Sequence, residues 1–306
     1  MEIPEHLKKL YAHWGKHARQ QLLHSTNPNV DTETYRKVLA FAEKRMYVWG
    51  AKTRNEERPY SDDIVLNTYR FCNIYRELDR QTIEFHTLLK PLVHNKVLWI
   101  ANMFFCRLIA NTETIHAIGL LSLNEAHNRK MCDALRILPS PKYGTPYVFP
   151  ISAIQKSPYP TREDFFCVYI PSIAEKLAQE IENMEDVSVA EAVPVLCKAL
   201  GFNLKFHITE LLIDVAYQYP EHIDLYKPFQ TGPGSWITIS KLVPHSETSI
   251  ACAILAQIQT PTFPLLTYNG AHIPLSAENW EGIGCEYRKY IHLSKGIGRK
   301  RIYRTR

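Results

Sequence analysis

Apolar positions recur at helical spacing along most of the chain. The clearest stripe is Phe71, Tyr75, Leu78, Thr82, Phe85 and Leu89, in steps of four and three, which predicts an amphipathic helix running through residues 69–82. Arg70, Asn73, Glu77, Arg80 and Glu84 keep the same alternation just ahead of it, and Arg76 and Asp79 flank it on the other side. Upstream, residues 4–23 read as a first helix, ended by Ser-Thr-Asn-Pro at 25–28. Asp31 caps a second helix through about residue 48, with Tyr35, Val38, Leu39, Ala42 and Met46 on one face. The segment 51–63 is a polar linker, in which Ser61 or Asp62 is the expected N-cap of the central helix. Downstream, 96–110 reads as a largely buried helix, and the next begins at Thr112 or Thr114. Further helices are predicted over 162–183, 188–200, 204–219, 247–259 and 277–293, with a loop over 219–238. Residues 130–160 are rich in Pro, Tyr and Ser and hold no sustained period, so an irregular insertion is expected there, with a short strand pair around 147–151. The pattern predicts a mostly α protein. Its expected organisation is an N-terminal helix (1–30), one helical catalytic domain (31–294) and a basic C-terminal tail (295–306).

The polar stripe on the central segment carries two carboxylates, three guanidinium groups and a carboxamide within about three turns of helix. Arg, Asn and Tyr beside a core stripe suit planar recognition of a phosphate or a base. The same residues also fit an ion-paired helix, with Arg76–Asp79 and Glu77–Arg80 at i,i+3. Spacing alone leaves both readings open.

Composition narrows the class. The chain has 306 residues, 45% hydrophobic and 22% charged, as expected of an ordinary globular protein with a real core. It contains no apolar run long enough for a membrane span and opens without a signal-peptide hydrophobic region. A soluble protein is expected, without membrane partners. Seven cysteines with no CxxC pair fit reduced thiols in a cytoplasm, that of an infected bacterial host if the chain is viral. The net charge of +5 is unevenly placed: residues 295–306 hold six of the 36 basic residues and no acid, leaving 30 basic against 31 acidic elsewhere. Such a tail, with Arg299, Lys300 and Arg301, is either a solubility feature or an electrostatic footprint for nucleic-acid phosphates.

The segment RPYSDDIVLNTYRFCNIYRELDRQT resembles the core motif of a helical family from viruses that hypermodify thymine in DNA. That family comprises the alpha-glutamyl/putrescinyl-thymine pyrophosphorylases, or amino acid:DNA transferases, and is related to the helical domain of 5-hydroxymethyluracil DNA kinases. Shorter matches lie at RLIANTET, at TGPGS and at CEYRKY, where Lys289 precedes the basic tail, so the resemblance spans residues 39–306. It implies a helical bundle of the DNA-glycosylase, helix-hairpin-helix type, acting on double-stranded DNA with modified thymine or uracil bases. The implied reaction is displacement of pyrophosphate from a pyrophosphorylated 5-hydroxymethyl group by a small amine or amino acid. No cofactor is expected and no metal-ligating residue is assigned, while the sequence leaves dependence on a divalent metal open. Such a site must extract the base, neutralise the leaving pyrophosphate and take a proton from the attacking ammonium. On this reading Arg76 and Arg80, with Arg45 or Arg54, form the pyrophosphate clamp, and Arg70 belongs to the same substrate-binding set. Asp79 or Glu77 is the base or the anchor for the amine's charge, and Tyr75 and Asn73 contact the nucleobase.

Two further stretches are candidate DNA contacts. KALGFNLK at 198–205 resembles a degenerate helix-hairpin-helix, with Gly201, Asn203 and Lys205 at the turn and Asp214 one helical segment downstream. The resembled family carries a second glycine and a proline here, where this chain has Asn203 and Leu204, and a helix C-cap at Gly201 explains the glycine equally well. In Thr231-Gly-Pro-Gly-Ser235, Gly232, Gly234 and Ser235 form a rigid turn whose amides could nest an anion. Other chemistries find no motif. There is no GxxxxGK[ST] nucleotide cradle, no HExxH, no HxE with PCxxC and no GxSxG elbow. His13 and His17 are spaced i,i+4 on a polar helix with no third ligand nearby, which fits a solvated pair. Three alternatives remain: a component of a 5-hydroxymethyluracil DNA kinase, a DNA glycosylase using Asp214, and a non-catalytic helical DNA-binding module.

Overall fold

The computed structural model describes residues 5–20, 29–144, 148–258 and 263–298. In chain order these form α1 (Glu5–Gln20), α2 (Thr32–Thr53), α3 (Ile64–Thr68), a 3-10 turn (Arg76–Leu78), α4 (Arg80–Leu89), a 3-10 turn (Lys90–Leu92), α5 (Lys96–Ile109), α6 (Thr112–Ile118) and α7 (Glu125–Ile137). After a 3-10 turn (Ile151–Ala153) come α8 (Arg162–Asp164), a π-helical turn (Phe165–Tyr169), α9 (Ile170–Ser172), α10 (Ala174–Glu182), β1 (Val187–Ser188), α11 (Val189–Leu200), α12 (Lys205–Gln218) and β2 (Ile223–Asp224). The chain closes with α13 (Trp236–Leu242), α14 (Thr248–Ala256), β3 (Thr267–Tyr268), β4 (Ala271–His272) and α15 (Ala277–Ser294). The fold is mostly α, as the periodicity predicts.

Contacts divide the chain into two units, one made of residues 1–79 with 225–306 and the other of residues 80–224.

In the first unit, α13, α14 and α2 pack on α15. Asp31 caps α2 by accepting the Thr34 N–H (2.7 Å), as expected, although the helix runs five residues past its expected end at 48. The cap of α3 is Asp63, one or two residues beyond the expected positions, and its second oxygen also accepts the Tyr290 hydroxyl (2.7 Å). Phe41, Leu66, Phe71 and Leu293 form a buried cluster against which Tyr69, Tyr287 and Tyr290 pack. A capping box between Ser276 and Asn279 starts α15. The hairpin β3–β4 turns through Asn269 and Gly270, both at positive φ (49° and 77°), which fits the turn that two-residue hairpins require.

In the second unit, residues 99–109 of α5 are all buried, because an apolar helix with no polar face is stable only inside a core. α10 and α12 pack on it, and α11 packs on α12 through the connection 201–204. Gly201 ends α11 in the left-handed region (φ 77°), the helix C-cap that its position suggests. β1 and β2 pair in parallel, Val187 opposite Ile223.

Three expectations fail. Residues 130–137, expected to be irregular, are the C-terminal part of α7. The strand pair expected around 147–151 is not found among the described residues. Residue 147 lies outside them, and Ile151 begins a 3-10 turn directly after Pro150, which has no N–H to give to a ladder. The predicted central helix is also not continuous. Its apolar stripe is buried as expected, each of its six residues 9% exposed or less, but residues 70–73 have no regular secondary structure, the chain bends at 74–75, and helix resumes only at Arg76 and Arg80. Side chains distant in sequence take the backbone groups that a helix would use. Arg45 donates to the Phe71 and Cys72 carbonyls (3.2 Å each), Lys289 donates to the Arg70 carbonyl (2.7 Å), and Glu286 accepts the Cys72 N–H (3.1 Å).

Candidate functional site

Asn73 folds the central segment back on itself. Its backbone N–H donates to Asp79 Oδ1 (2.8 Å), and its carboxamide donates to the Leu78 carbonyl (2.9 Å). Such local bonds compete with helix, and here they turn the chain so that Arg76 and Asp79 meet. Arg76 Nε donates to Asp79 Oδ2 (3.0 Å), and the other end of the guanidinium lies 3.8 Å from Glu278 on α15. The stem of Arg76 lies over Gly282, where a Cβ would come within 3.6 Å of it. The Arg76 and Asp79 side chains are 17% and 21% exposed, so the pair is sheltered yet within reach of a ligand, whereas Glu278 is 1% exposed. Burial pushes the Asp79 carboxyl above its ordinary range, and the Arg76 charge and the Asn73 N–H pull only partly against it. A carboxylate so placed is a better proton acceptor than one in water.

Glu77 points the other way. It is fully buried, and its Oε1 accepts the Tyr11 hydroxyl (2.9 Å). Burial raises its carboxyl to about 7, which the Tyr11 hydrogen bond only partly offsets. Because the folded pKa exceeds the unfolded one, Glu77 favours folding fully below about 4.5, and that contribution is lost as the pH rises through 7. We expect Glu77→Gln to flatten the pH dependence of the melting temperature across this window, removing a swing of about 3 kcal/mol. Melting curves of wild type and variant from pH 4 to 8 check this, and parallel curves would contradict it. Tyr75 is likewise a strut: its hydroxyl donates to the Ile273 carbonyl (2.7 Å) and accepts the Leu266 N–H (3.2 Å).

The final helix organises this unit. Glu278, Glu281 and Glu286 stand on α15 at spacings of three and five; the first and last face the central segment and Glu281 holds the turn at 231–235. Glu278 faces Arg76, and Glu286 holds the Cys72 N–H while pairing with Lys289 (3.0 Å). Glu281 Oε1 accepts both the Gly232 N–H (3.2 Å) and the Ser235 hydroxyl (2.6 Å). The turn at 231–235 therefore holds an anion, but that anion is the chain's own carboxylate. Gly234 is required by close approach, since a Cβ there would lie 2.6 Å from the Cys285 sulfur. The three glutamates were legible only as an E-x-x-E-x-x-x-x-E spacing, which says nothing about what they hold.

The remaining expected residues make other contacts. Arg45 is 2% exposed, its guanidinium 5.5 Å above the Phe71 ring, and it serves the irregular segment 70–73. Arg54 pairs with Glu56 (2.6 Å) on the surface, and Arg70 is exposed. Arg80 belongs to the second unit, where it pairs with Glu84 (3.2 Å) and is 81% exposed. Gly201, Asn203 and Lys205 are exposed at the α11–α12 turn. Asp214 is fully buried in the second unit. Arg107 grips it with two bonds (2.5 and 2.7 Å), His86 Nε2 lies 3.0 Å from it, and Arg107 also donates to Thr82 (3.1 Å). Burial alone would raise its carboxyl, but the Arg107 charge and hydrogen bonds, with His86, hold it down to about 2. Arg299, Lys300 and Arg301 lie outside the described residues. Among the described residues no group of three or more His, Cys, Asp or Glu side chains could hold a metal, and no helix is long and apolar enough to cross a membrane.

A 5-hmdU DNA kinase from Bacillus phage SP10 is 30% identical over 83 residues, which cover 26% of this chain and 13% of that protein. No solved structure matches the chain. Residues 32–297 match the family described as the helical domain of 5-hmdU DNA kinase. On that match, which takes in α2 to α15, the chain belongs to the 5-hmdU DNA kinase helical-domain family.

Proposed function

We propose that the protein modifies a thymine-derived base in double-stranded DNA, and that it transfers an amine onto the base's 5-methylene carbon. The nitrogen lone pair of an amino acid or polyamine forms the new C–N bond. The C–O bond to the pyrophosphoryl group breaks, inorganic pyrophosphate leaves, and the ammonium proton passes to a carboxylate. The observation that carries this reading is the sheltered Arg76–Asp79 pair on the family's central segment, an anion-binding fork beside a carboxylate whose proton affinity is raised. Asp79 is assigned as the base in preference to Glu77, because Asp79 retains exposure and Glu77 has none. Arg76 is the clamp for the leaving group, with Arg54 and Arg70 as exposed guanidinium groups of the same unit that favour phosphates. The base-extracting glycosylase-like architecture rests on the α11–α12 turn, where Gly201, Asn203 and Lys205 face solvent. A pyrophosphate-release assay on pyrophosphorylated hydroxymethyluracil DNA tests the proposal. Release should require the amine and saturate with it, and release at the same rate without amine would overturn it.

A second reading is favoured by the name of the phage relative: the chain serves as the helical, DNA-engaging part of a 5-hmdU kinase, with phosphate supplied elsewhere. It predicts phosphorylated base instead of pyrophosphate release. Both readings predict salt-sensitive DNA binding. Deleting residues 295–306 removes six positive charges and should lower the slope of log affinity against log salt, by roughly 0.9 for each phosphate that the tail neutralises. An unchanged slope would show that the tail does not touch DNA.

A further inference from the structure

Trp236 is 50% exposed, whereas Trp14, Trp99 and Trp280 are each 2% exposed or less. It is the first residue of α13 and follows directly on the Gly-Pro-Gly-Ser turn. That turn is fixed from several sides. The Ser235 and Trp236 N–H groups both donate to the Gly232 carbonyl (3.2 and 3.1 Å), and Glu281 holds Gly232 and Ser235. The Arg288 guanidinium donates to the Pro233 carbonyl (2.5 Å). The close approach of Gly234 to Cys285 leaves the turn no room to shift towards α15. An indole with half its surface facing water on a rigid base is already in place for a flat ligand.

We propose that Trp236 is a stacking platform for an unpaired nucleobase of DNA, with Arg288 of α15, which donates to that turn, supplying the charge for the adjoining phosphate. The inference rests on DNA being the substrate and extends that reading to a residue outside the Arg76–Asp79 cluster. Two features favour a base over an apolar protein partner. The rest of α13 leaves only Ile237 as a half-buried apolar neighbour, since Thr238, Ile239 and Leu242 are buried and Lys241 is exposed. The Arg288 cation held against the turn complements a phosphate, and every base presents a π-face whatever its sequence.

The test measures binding of single-stranded and duplex oligonucleotides to the full chain, read both by indole emission and by a 2-aminopurine placed in the DNA. The wild type should show quenched indole emission and a 2-aminopurine change on binding. Trp236→Phe should retain most of the affinity and lose the quenching. Trp236→Ala should melt at the wild-type temperature and bind single strands roughly 5- to 100-fold more weakly. If the wild type binds DNA and Trp236→Ala binds equally well, the platform is wrong and the DNA reading stands. If the wild type binds no DNA in either form, both fall. If Trp236→Ala instead abolishes self-association of the wild type, the indole belongs to a protein interface and the proposal is overturned.

Discussion

Asp79→Asn should reduce amine incorporation by roughly two to four orders of magnitude, the range over which removal of a general base acts. The carboxamide is nearly isosteric and its oxygen can still accept the Asn73 N–H, so the turn that carries it should persist. Arg76 retains Glu278 as a partner, so no buried cation is left unopposed. Fold and DNA affinity should therefore survive while turnover falls. Arg76→Lys should impair turnover too, because an ammonium on the same stem cannot offer two parallel donors to a leaving pyrophosphate. The aliphatic stem over Gly282 is kept in this variant, which separates loss of the fork from loss of packing. Steady-state rates with melting temperatures as the control check both variants. Two folded variants with near wild-type rates would place the chemistry elsewhere.

Asp214→Ala should act in the opposite way, destabilising the protein by about 3–5 kcal/mol by removing the carboxylate that neutralises a buried guanidinium. Arg107 is 3% exposed, and the Thr82 hydroxyl that it also reaches carries no charge to replace that carboxylate. Replacing the pair together, Asp214→Leu with Arg107→Met, should recover much of the loss, since the buried charge and its partner disappear at once. The pH dependence follows from the depressed carboxyl. Its folded pKa, about 2, lies below the unfolded value, so its contribution is present above about pH 4 and is lost as pH falls through 2. Denaturant melts of the single and double variants measure this. A stable, inactive Asp214→Ala that no longer releases free base would instead support a glycosylase acid.

The fold class was legible because burial imposes a period on the sequence. The stripe from Phe71 to Leu89 is buried at each of its six positions. What periodicity could not show is that residues 70–75 satisfy their backbone groups through Arg45, Glu286 and Lys289, the last two more than 200 residues away. The same stripe would be read from a helix and from an irregular segment folded against a core. α13 was missed because its seven residues follow a Gly-Pro-Gly turn and are too few to establish a period. The site was only half legible. Arg76 and Asp79 sit at a spacing that predicts their pairing, and they do pair. Glu77 is their neighbour in sequence, yet it turns into the core against Tyr11, which no local pattern reveals. Asp214 stands out in an apolar helix, but its partner Arg107 lies 107 residues upstream, so an acid built into the core and an acid held for chemistry look alike in sequence. The glutamates of α15 gave a spacing but no hint of the segments they hold.

The most direct test is mass spectrometry of the nucleosides from duplex DNA carrying pyrophosphorylated 5-hydroxymethyluracil, after incubation of the full chain with a mixture of amino acids and polyamines. The account predicts a new nucleoside whose mass equals thymidine plus the amine less two hydrogens, formed mole for mole with inorganic pyrophosphate and formed roughly two to four orders of magnitude more slowly with Asp79→Asn. A digest containing only the starting nucleoside, its phosphorylated forms or free base would contradict it.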